Sequence, residues 1–328
     1  MKLSTPIVVT GAAGFIGAYL VKTLLKAGVE ADAIWACDDL EFLNTRECTA
    51  SWRDQSVHQI SPEDLLTRLD QIAPKFILHM GACSRTDETR WDYLTRVNIE
   101  YSQSLWKWCS DHAVPLIYAS SAATYGGGEL GFDDRMSESE MKKLKPLNLY
   151  GKSKWVFDLW SLDEIRAGRH PEGYWGFKFF NVYGPGEAHK TSQASVVYHA
   201  HKQVQEKGQI TLFQSHHPDY KDGEQMRDFV CVEDLAKVCL WVMRTRPKSG
   251  IYNLGTGRAQ TFLDLARGVL KAIGSEAPIK FMPTPEHLRE HYQYFTEAKM
   301  DELRRAGYDA PFMDLEAGIK FSLKPSNR

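Results

Sequence analysis

The stretch Thr10-Gly11-Ala12-Ala13-Gly14-Phe15-Ile16-Gly17 constrains this chain more than any other feature. It stands between the β-branched run Ile7-Val8-Val9 and a helical pattern of Phe15, Ile16, Tyr19, Leu20 and Leu24. In a strand–turn–helix unit each glycine has a reason. Gly11 makes the tight turn, Gly14 lets backbone approach a pyrophosphate, and Gly17 permits close packing of helix on strand. The helix N-terminus adds free N–H groups and a favourable dipole for an anion. Glycines alone are a weak signal. Here a second apolar run, Ala33-Ile34-Trp35-Ala36-Cys37, ends at Asp38, where a carboxylate can meet a ribose diol.

The remaining apolar runs set the fold class. Phe76-Ile77-Leu78, Pro115 to Ala119 and Trp175 to Phe179 read as strands. Leu65–Ile72, Trp91–His112 and Tyr150–Ile165 read as helices between them. Strands this apolar, alternating with helices, predict an α/β chain with a parallel sheet covered on both faces. The expected architecture is a doubly wound Rossmann domain with a smaller, interwoven C-terminal substrate domain. After Asn181 polar stretches alternate with single helices such as 194–206, while 228–232 and 251–254 still read as strands of the large sheet. The expected division is 1–180 plus 229–257 for the dinucleotide-binding domain and 181–228 plus 258–328 for the substrate domain.

A second constellation lies in Tyr150-Gly151-Lys152-Ser153-Lys154. On a helix Tyr150 and Lys154 share a face. An unperturbed phenol, with a pKa of about 10, is too weak a base at neutral pH, and a nearby ammonium favours the phenolate. By spacing alone such a pair is commonplace. Ser120 and Ser121 alter its weight, because they close the preceding strand at the carboxyl edge where ligands bind. The segment from Gly126 to Lys145 between them has the length of a substrate-facing loop.

With these residues in chain order, and with glycines spaced GxxGxxG, the chain resembles the extended short-chain dehydrogenase/reductase family and its sugar-nucleotide epimerases. The resemblance runs along nearly the whole length. It includes Ala119-Ser120-Ser121-Ala122-Ala123-Thr124-Tyr125-Gly126-Gly127, Phe180-Asn181-Val182-Tyr183-Gly184-Pro185, His189-Lys190, Arg227-Asp228-Phe229-Val230, and Tyr292-Gln293 with Phe295-Thr296. The narrower of these segments point to the branch that acts at C6 of ADP-glycero-manno-heptose. The resemblance implies a bound NADP or NAD, with transient oxidation to a ketone and re-reduction on the opposite face. It makes Tyr150 one acid/base, Lys190 a second, Ser121 a hydrogen-bond donor to the reacting oxygen, and Lys154 their cationic neighbour. It places Gly11, Gly14, Phe15, Ile16, Gly17, Asp38, Asp39, Gly81, Ala82, Cys83, Ser84, Asn98, Lys154 and Val182 along the cofactor. Asn181, Ser192, His199, Phe213, Gln214, Ser215, His216, Arg227 and Tyr292 fall at substrate positions. Arg227 suits a diphosphate physically, because its fork pairs bidentately with phosphate oxygens.

The sequence departs from the family in one place. The family prefers NADP and carries a Lys after the second strand, whereas Leu40 to Arg46 has none and Asp39 replaces a more usual Asn. Asp38 and Asp39 favour NAD on simple electrostatics, and Arg46 offsets them.

Composition narrows the partners. A formal net charge of −2 favours neither nucleic acid nor an anionic membrane. Six cysteines without a CxxC pair suit a reducing compartment, and no apolar run approaches the ~18 residues of a membrane span, so the cytoplasm is expected. No metal is expected, since His199-His201 and His216-His217 have no third ligand at suitable spacing. The expected partners are a nucleotide sugar and copies of this chain, in a homo-oligomer that the resemblance makes a pentamer. The rival readings are another nucleotide-sugar epimerase, such as a UDP-sugar 4-epimerase, and an NAD(P)-binding sensor or scaffold. Ala122-Ala123 after Ser121, in place of an acidic pair, argues against a 4,6-dehydratase.

Overall fold

A computed structural model describes residues 3–289 and 292–324. Twelve strands occur along the described residues: β1 (Ile7–Thr10), β2 (Ile34–Cys37), β3 (His58–Ile60), β4 (Phe76–His79), β5 (Leu116–Ser121), β6 (Tyr174–Phe179), β7 (Asn181–Tyr183), β8 (Ile210–Phe213), β9 (Met226–Cys231), β10 (Gly250–Leu254), β11 (Ala259–Thr261) and β12 (Ile279–Met282). Seven form one sheet in the order β10-β6-β5-β4-β1-β2-β3. Every pairing in it is parallel. The order reverses between β1 and β4, which sets the ligand crevice at their carboxyl ends.

Period two sorts the strand side chains onto two apolar layers. Val8, Ile77, Leu116 and Tyr118 face a layer built from Leu65, Leu69, Leu105, Trp106 and Phe157. Ile7, Val9, Leu78, Ile117 and Phe177 face the other, with Leu20, Leu24, Leu235 and Val238. Both faces are thus covered, as the continuous apolar runs require. The expected helix from Trp91 forms as one continuous rod to Asp111, but its Thr95–Glu100 turn is a π-helix. Such wide turns collect at functional sites. Among the described residues no helix is long and apolar enough to cross a membrane.

The chain leaves the large sheet at Phe180, whose amide bonds the Leu254 carbonyl at 3.1 Å. Immediately afterwards β7 begins a second sheet, β11-β9-β7, and β8 pairs with β12 in a third. Of the two later strands expected in the large sheet, only the one at 250–254 belongs to it. The strand at 226–231 joins β7 and β11 instead. Its residues are nearly all buried, as in a central strand, so apolarity alone does not reveal which sheet it enters. The helices Val196–Lys207, Phe262–Ile273 and Leu315–Leu323 close the smaller lobe over Ile210, Leu212, Leu265, Val269 and Ile319. We propose that the lobes divide close to the expected boundaries, with 226–231 in the smaller one.

Candidate active site

The glycine loop is shaped by contacts that exclude a side chain. Gly11 has φ +67°, and a Cβ there would lie 2.7 Å from the Gly81 amide nitrogen. A Cβ on Gly17 would stand 2.0 Å from the Gly11 carbonyl oxygen. Gly14 caps the helix Phe15–Lys26 without a side chain, and no acidic residue sits in its first turn. That leaves an amide-lined, positive helix end open to phosphate. Phe15 is buried and Ile16 half-buried beside it.

Asp38 closes the other side. Its carboxylate accepts from the Ala13 amide at 2.9 Å and the Asp39 amide at 2.8 Å. Burial raises its pKa, while these amides and Arg46 oppose the shift. Asp39 faces solvent and caps the helix Leu40–Thr45, accepting from Glu41 at 2.8 Å and Phe42 at 3.3 Å. Arg46 stacks on the Phe42 ring, 3.8 Å from its centroid, and donates to the Ala13 carbonyl at 3.0 Å. The guanidinium therefore crosses the glycine loop beside Asp38.

The loop after β4 carries Gly81, Ala82 and Cys83, all half-buried, and exposed Ser84. Asn98, on the π-helical turn, is fully buried and grips this loop: its Oδ1 accepts from the Cys83 amide at 2.8 Å and its Nδ2 donates to the Cys83 carbonyl at 3.0 Å. The same Nδ2 reaches Ser153 Oγ at 2.9 Å. Asn98 thus ties the loop to the helix that bears Tyr150. Behind it, His79 lies between Thr10 Oγ1 at 2.7 Å and Ser102 Oγ at 2.9 Å. Burial, with a smaller push from Lys154, lowers its pKa to about 3, so the ring is neutral.

Ser121 ends β5, and its hydroxyl accepts from the Ala123 amide at 3.1 Å. The helix Leu149–Arg166 starts directly against that turn, where a Cβ on Gly151 would lie 2.7 Å from the Ala123 carbonyl. This close approach sets Tyr150 beside Ser121. Burial raises the phenol's pKa and Ser121 opposes it. The lowering by Lys154 that the spacing suggests does not dominate here. The Lys154 ammonium instead donates to the Ala119 carbonyl at 2.8 Å. Burial lowers its pKa to about 8, against a smaller opposing pull from Asp158.

Lys190 enters from the turn Ala188–Gln193, its Nζ 5.7 Å from the centroid of Phe15. Burial lowers its pKa, and Glu187 opposes this. Glu187 is itself buried, accepting from the Ser195 hydroxyl at 2.6 Å and the Gly184 amide at 3.3 Å. Thr191, next to Lys190, has φ +48° and ψ −118°. That is strained for a β-branched residue and marks the turn as a functional candidate.

The smaller lobe supplies a cation of different character. Arg227 is buried, and its guanidinium donates to the Met226 carbonyl at 2.8 Å and to the Gln293 carbonyl. Neither acceptor is anionic. Tyr292 packs beside it, 5.5 Å from ring centroid to guanidinium carbon. Phe213, Gln214, Ser215 and His216 run off the end of β8. The Gln214 amide bonds the Met282 carbonyl at 2.8 Å, the Ser215 amide bonds Asp222 at 2.8 Å, and His216 Nε2 accepts from the Thr284 amide at 3.2 Å. Asn181 and Ser192 are exposed, while Val182 and His199 are half-buried, His199 against Tyr198.

Several residues of the site carried no assignment from sequence. Tyr294 accepts the His216 amide at 2.9 Å, and Gln293 Nε2 donates to the Gly126 carbonyl, joining the two lobes. Asp158, Lys178 and Ser120 form a buried cluster under the Tyr150 helix. Ser120 was read only as a strand-end hydroxyl, and the sequence signal for Asp158 is its spacing, four residues after Lys154. Among the described residues no three His, Cys, Asp or Glu side chains group as a metal site.

Known proteins match this chain over nearly its whole length. A relative from Fusobacterium nucleatum named ADP-L-glycero-D-manno-heptose-6-epimerase is 41% identical over 325 residues, 96% of each chain. One of the same name from Alkalilimnicola ehrlichii is 42% identical over 328 residues, 96% of this chain and 95% of the other. The crystal structure of the Helicobacter pylori ADP-L-glycero-D-manno-heptose-6-epimerase superposes with a TM-score of 0.78 at 25% identity, over 97% of this chain and 94% of that one. The model of the NAD dependent epimerase/dehydratase family matches residues 7–255, and the chain belongs to that family.

Proposed function

We propose that the protein epimerises ADP-glycero-manno-heptose at C6, through transient oxidation to a 6-keto sugar and re-reduction on the opposite face. One observation carries the chemistry: Tyr150 and Ser121 meet at the carboxyl edge of β5, with Lys154 one turn along the same helix face. The identities near 41% to relatives named for this reaction carry the substrate.

The residues fit a nicotinamide dinucleotide. The glycine loop leaves room where a Cβ would clash, the first turn of its helix has no side-chain cap, and Asp38 is placed for a ribose. When bound, this group supplies a reversible hydride acceptor. Gly11, Gly14 and Gly17 admit its pyrophosphate, Phe15 and Ile16 flank it, and residues 81–84, held by Asn98, face its other end together with Val182. We assign NADP. Arg46 lies beside Asp38, and Asp39 is committed to its helix cap. Mass spectrometry of the nucleotide released from pure protein checks this, and recovery of NAD alone would contradict it.

Tyr150 then exchanges a proton with the C6 hydroxyl while Ser121 hydrogen-bonds the same oxygen. Lys190 reaches the cleft over Phe15, from a different element, and serves the oxygen in its second position. Its lowered pKa is the direction such a role needs. Each placed proton transfer contributes about 10²–10⁴-fold in rate. Arg227, buried with no anionic partner among the described residues, binds the diphosphate, with Tyr292, Asn181, Ser192, His199 and 213–216 around the nucleotide sugar. The same proposal places a homo-oligomer, a pentamer, in the cytoplasm, and native mass measurement tests the assembly.

The test incubates pure protein with ADP-D-glycero-D-manno-heptose, adds no cofactor, and follows C6 by NMR. A mixture of both epimers is expected. Turnover of UDP-glucose to UDP-galactose instead, or tight cofactor retention without any turnover, would overturn the reading.

A further inference from the structure

Two opposite charges are sealed beneath the helix that carries Tyr150 and Lys154. Asp158 Oδ2 lies 2.6 Å from Lys178 Nζ, with side-chain exposures of 0% and 2%. Ser120 Oγ donates to the same carboxylate oxygen at 2.7 Å, while Oδ1 is buried without a hydrogen bond from any described residue. Ser120 and Lys178 are register partners on β5 and β6, so the carboxylate locks the helix onto two adjacent strands. Lys178 also donates to Thr124 Oγ1 at 2.8 Å, in the turn that follows Ser121, and stands 5.1 Å from the Tyr125 ring centroid.

A buried ion pair is weak as a stabilising device, because desolvation offsets most of the attraction. This one occupies a place where its charge matters. Lys154 lies one helical turn before Asp158 on the same face, about 5–6 Å away between Cβ atoms. Among the described residues its ammonium bonds no carboxylate, only the Ala119 carbonyl. The other groups around it offer no negative charge at neutral pH: Tyr150 on its own helix, Ser121 on β5, neutral His79 on β4 and the Cys83 thiol on the following loop.

We propose that Asp158 and Lys178 are positioning residues for the reaction: the carboxylate, fixed on β5 and β6, faces Lys154 and keeps it an ammonium next to Tyr150. Lys178 shares that carboxylate, and its ammonium also donates to Thr124 and faces the Tyr125 ring. Burial pushes Lys154 down to about 8, and Asp158 is the largest influence in the opposite direction. Loss of that carboxylate lets Lys154 shed its proton at lower pH, and loss of Lys178 alone strengthens the carboxylate's hold.

The inference rests on the roles proposed for Tyr150 and Lys154. Its test is the alkaline limb of kcat against pH, with bound cofactor measured alongside by absorbance. Asp158→Asn/Lys178→Met removes both charges at similar volume, leaving neither one alone. Its limb should move to lower pH by about half a unit or more, a loss of about twofold or more at the original midpoint. Lys178→Met keeps the carboxylate, and its limb should move to higher pH. Opposite shifts cannot come from a damaged fold. Lys190 also has its pKa lowered by burial, but it reaches the cleft over Phe15, away from this pair. Should the double variant not fold, the upward shift in Lys178→Met decides alone. Limbs unchanged in both variants, with only lower melting temperatures, would overturn the inference and leave a purely structural pair. A wild-type enzyme without epimerase turnover would instead refute the roles assigned to Tyr150 and Lys154.

Discussion

The two lobes are built on different principles. The large sheet is held by short parallel strands whose side chains vanish into two apolar layers, and six of its seven strands follow one another along the chain. The smaller lobe has strands of three and four residues beside β9, and buried charges hold its loops in place. Asp228 is the clearest case: its carboxylate accepts from the Thr256 amide and hydroxyl at 2.7 Å, the Gly257 amide at 2.9 Å and the Ala298 amide at 3.1 Å. Arg227 reaches Gln293 across 66 residues of sequence. On the proposed function, one half prepares the chemistry by local pattern, and the other assembles a recognition surface by long-range hydrogen bonds.

If that division is right, a variant in each half should fail in a different way. The largest effect belongs to the chemical half. Tyr150→Phe should retain cofactor and substrate binding and lose about 10²–10⁴-fold in turnover. A loss of only a few-fold in steady-state rate would remove Tyr150 from the reaction.

Asp228→Asn sharpens the contrast from the other side. An amide NH₂ would face backbone donors, and hydrogen bonds to a charged group are worth about 1.5–3 kcal/mol each. A fall of about 3 kcal/mol in urea unfolding is expected, and a wild-type midpoint would show the smaller lobe to be held by apolar contacts after all.

Arg227→Met should raise KM by about 10–100-fold, as expected for a lost charge-assisted contact of about 1.5–3 kcal/mol, and leave kcat within a few-fold. An unchanged KM would take the diphosphate away from Arg227.

The smallest expected effect is a gain in stability. Lys154 has its pKa lowered from 10.5 to about 8 in the fold, so the unfolded chain binds more protons between those values. Stability therefore rises with pH through that window, and below pH 8 the whole penalty of the buried charge stands. Lys154→Met should be inactive but more stable by about 2 kcal/mol at pH 7, with the gain gone above pH ~10. Equal unfolding midpoints at pH 7 would show that the buried ammonium is not a liability of the site.

Legibility in the sequence follows the same division. Gly11, Gly14 and Gly17 sit in a strand–turn–helix whose geometry admits no other residue at Gly17, so the pattern and its reason coincide. Tyr150 and Lys154 were readable because one helix turn fixes their relation. β9 was not, since its apolar run serves a three-stranded sheet as well as a seven-stranded one. Asp158, Lys178 and Ser120 come from a helix and two strands, and only the fold makes them neighbours. Asp39 reads as a charge beside the cofactor, while its carboxylate is occupied by the helix Leu40–Thr45.

On this view the sheet half holds the hydride during turnover while the smaller lobe holds the sugar. Epimerisation in D₂O tests it most directly, with the product's C6 examined by NMR and mass spectrometry. Hydride that leaves C6 and returns from the same bound cofactor gives both epimers with no deuterium on that carbon. One deuterium at C6 would mean that the carbon exchanged with solvent as a proton, and would contradict the account.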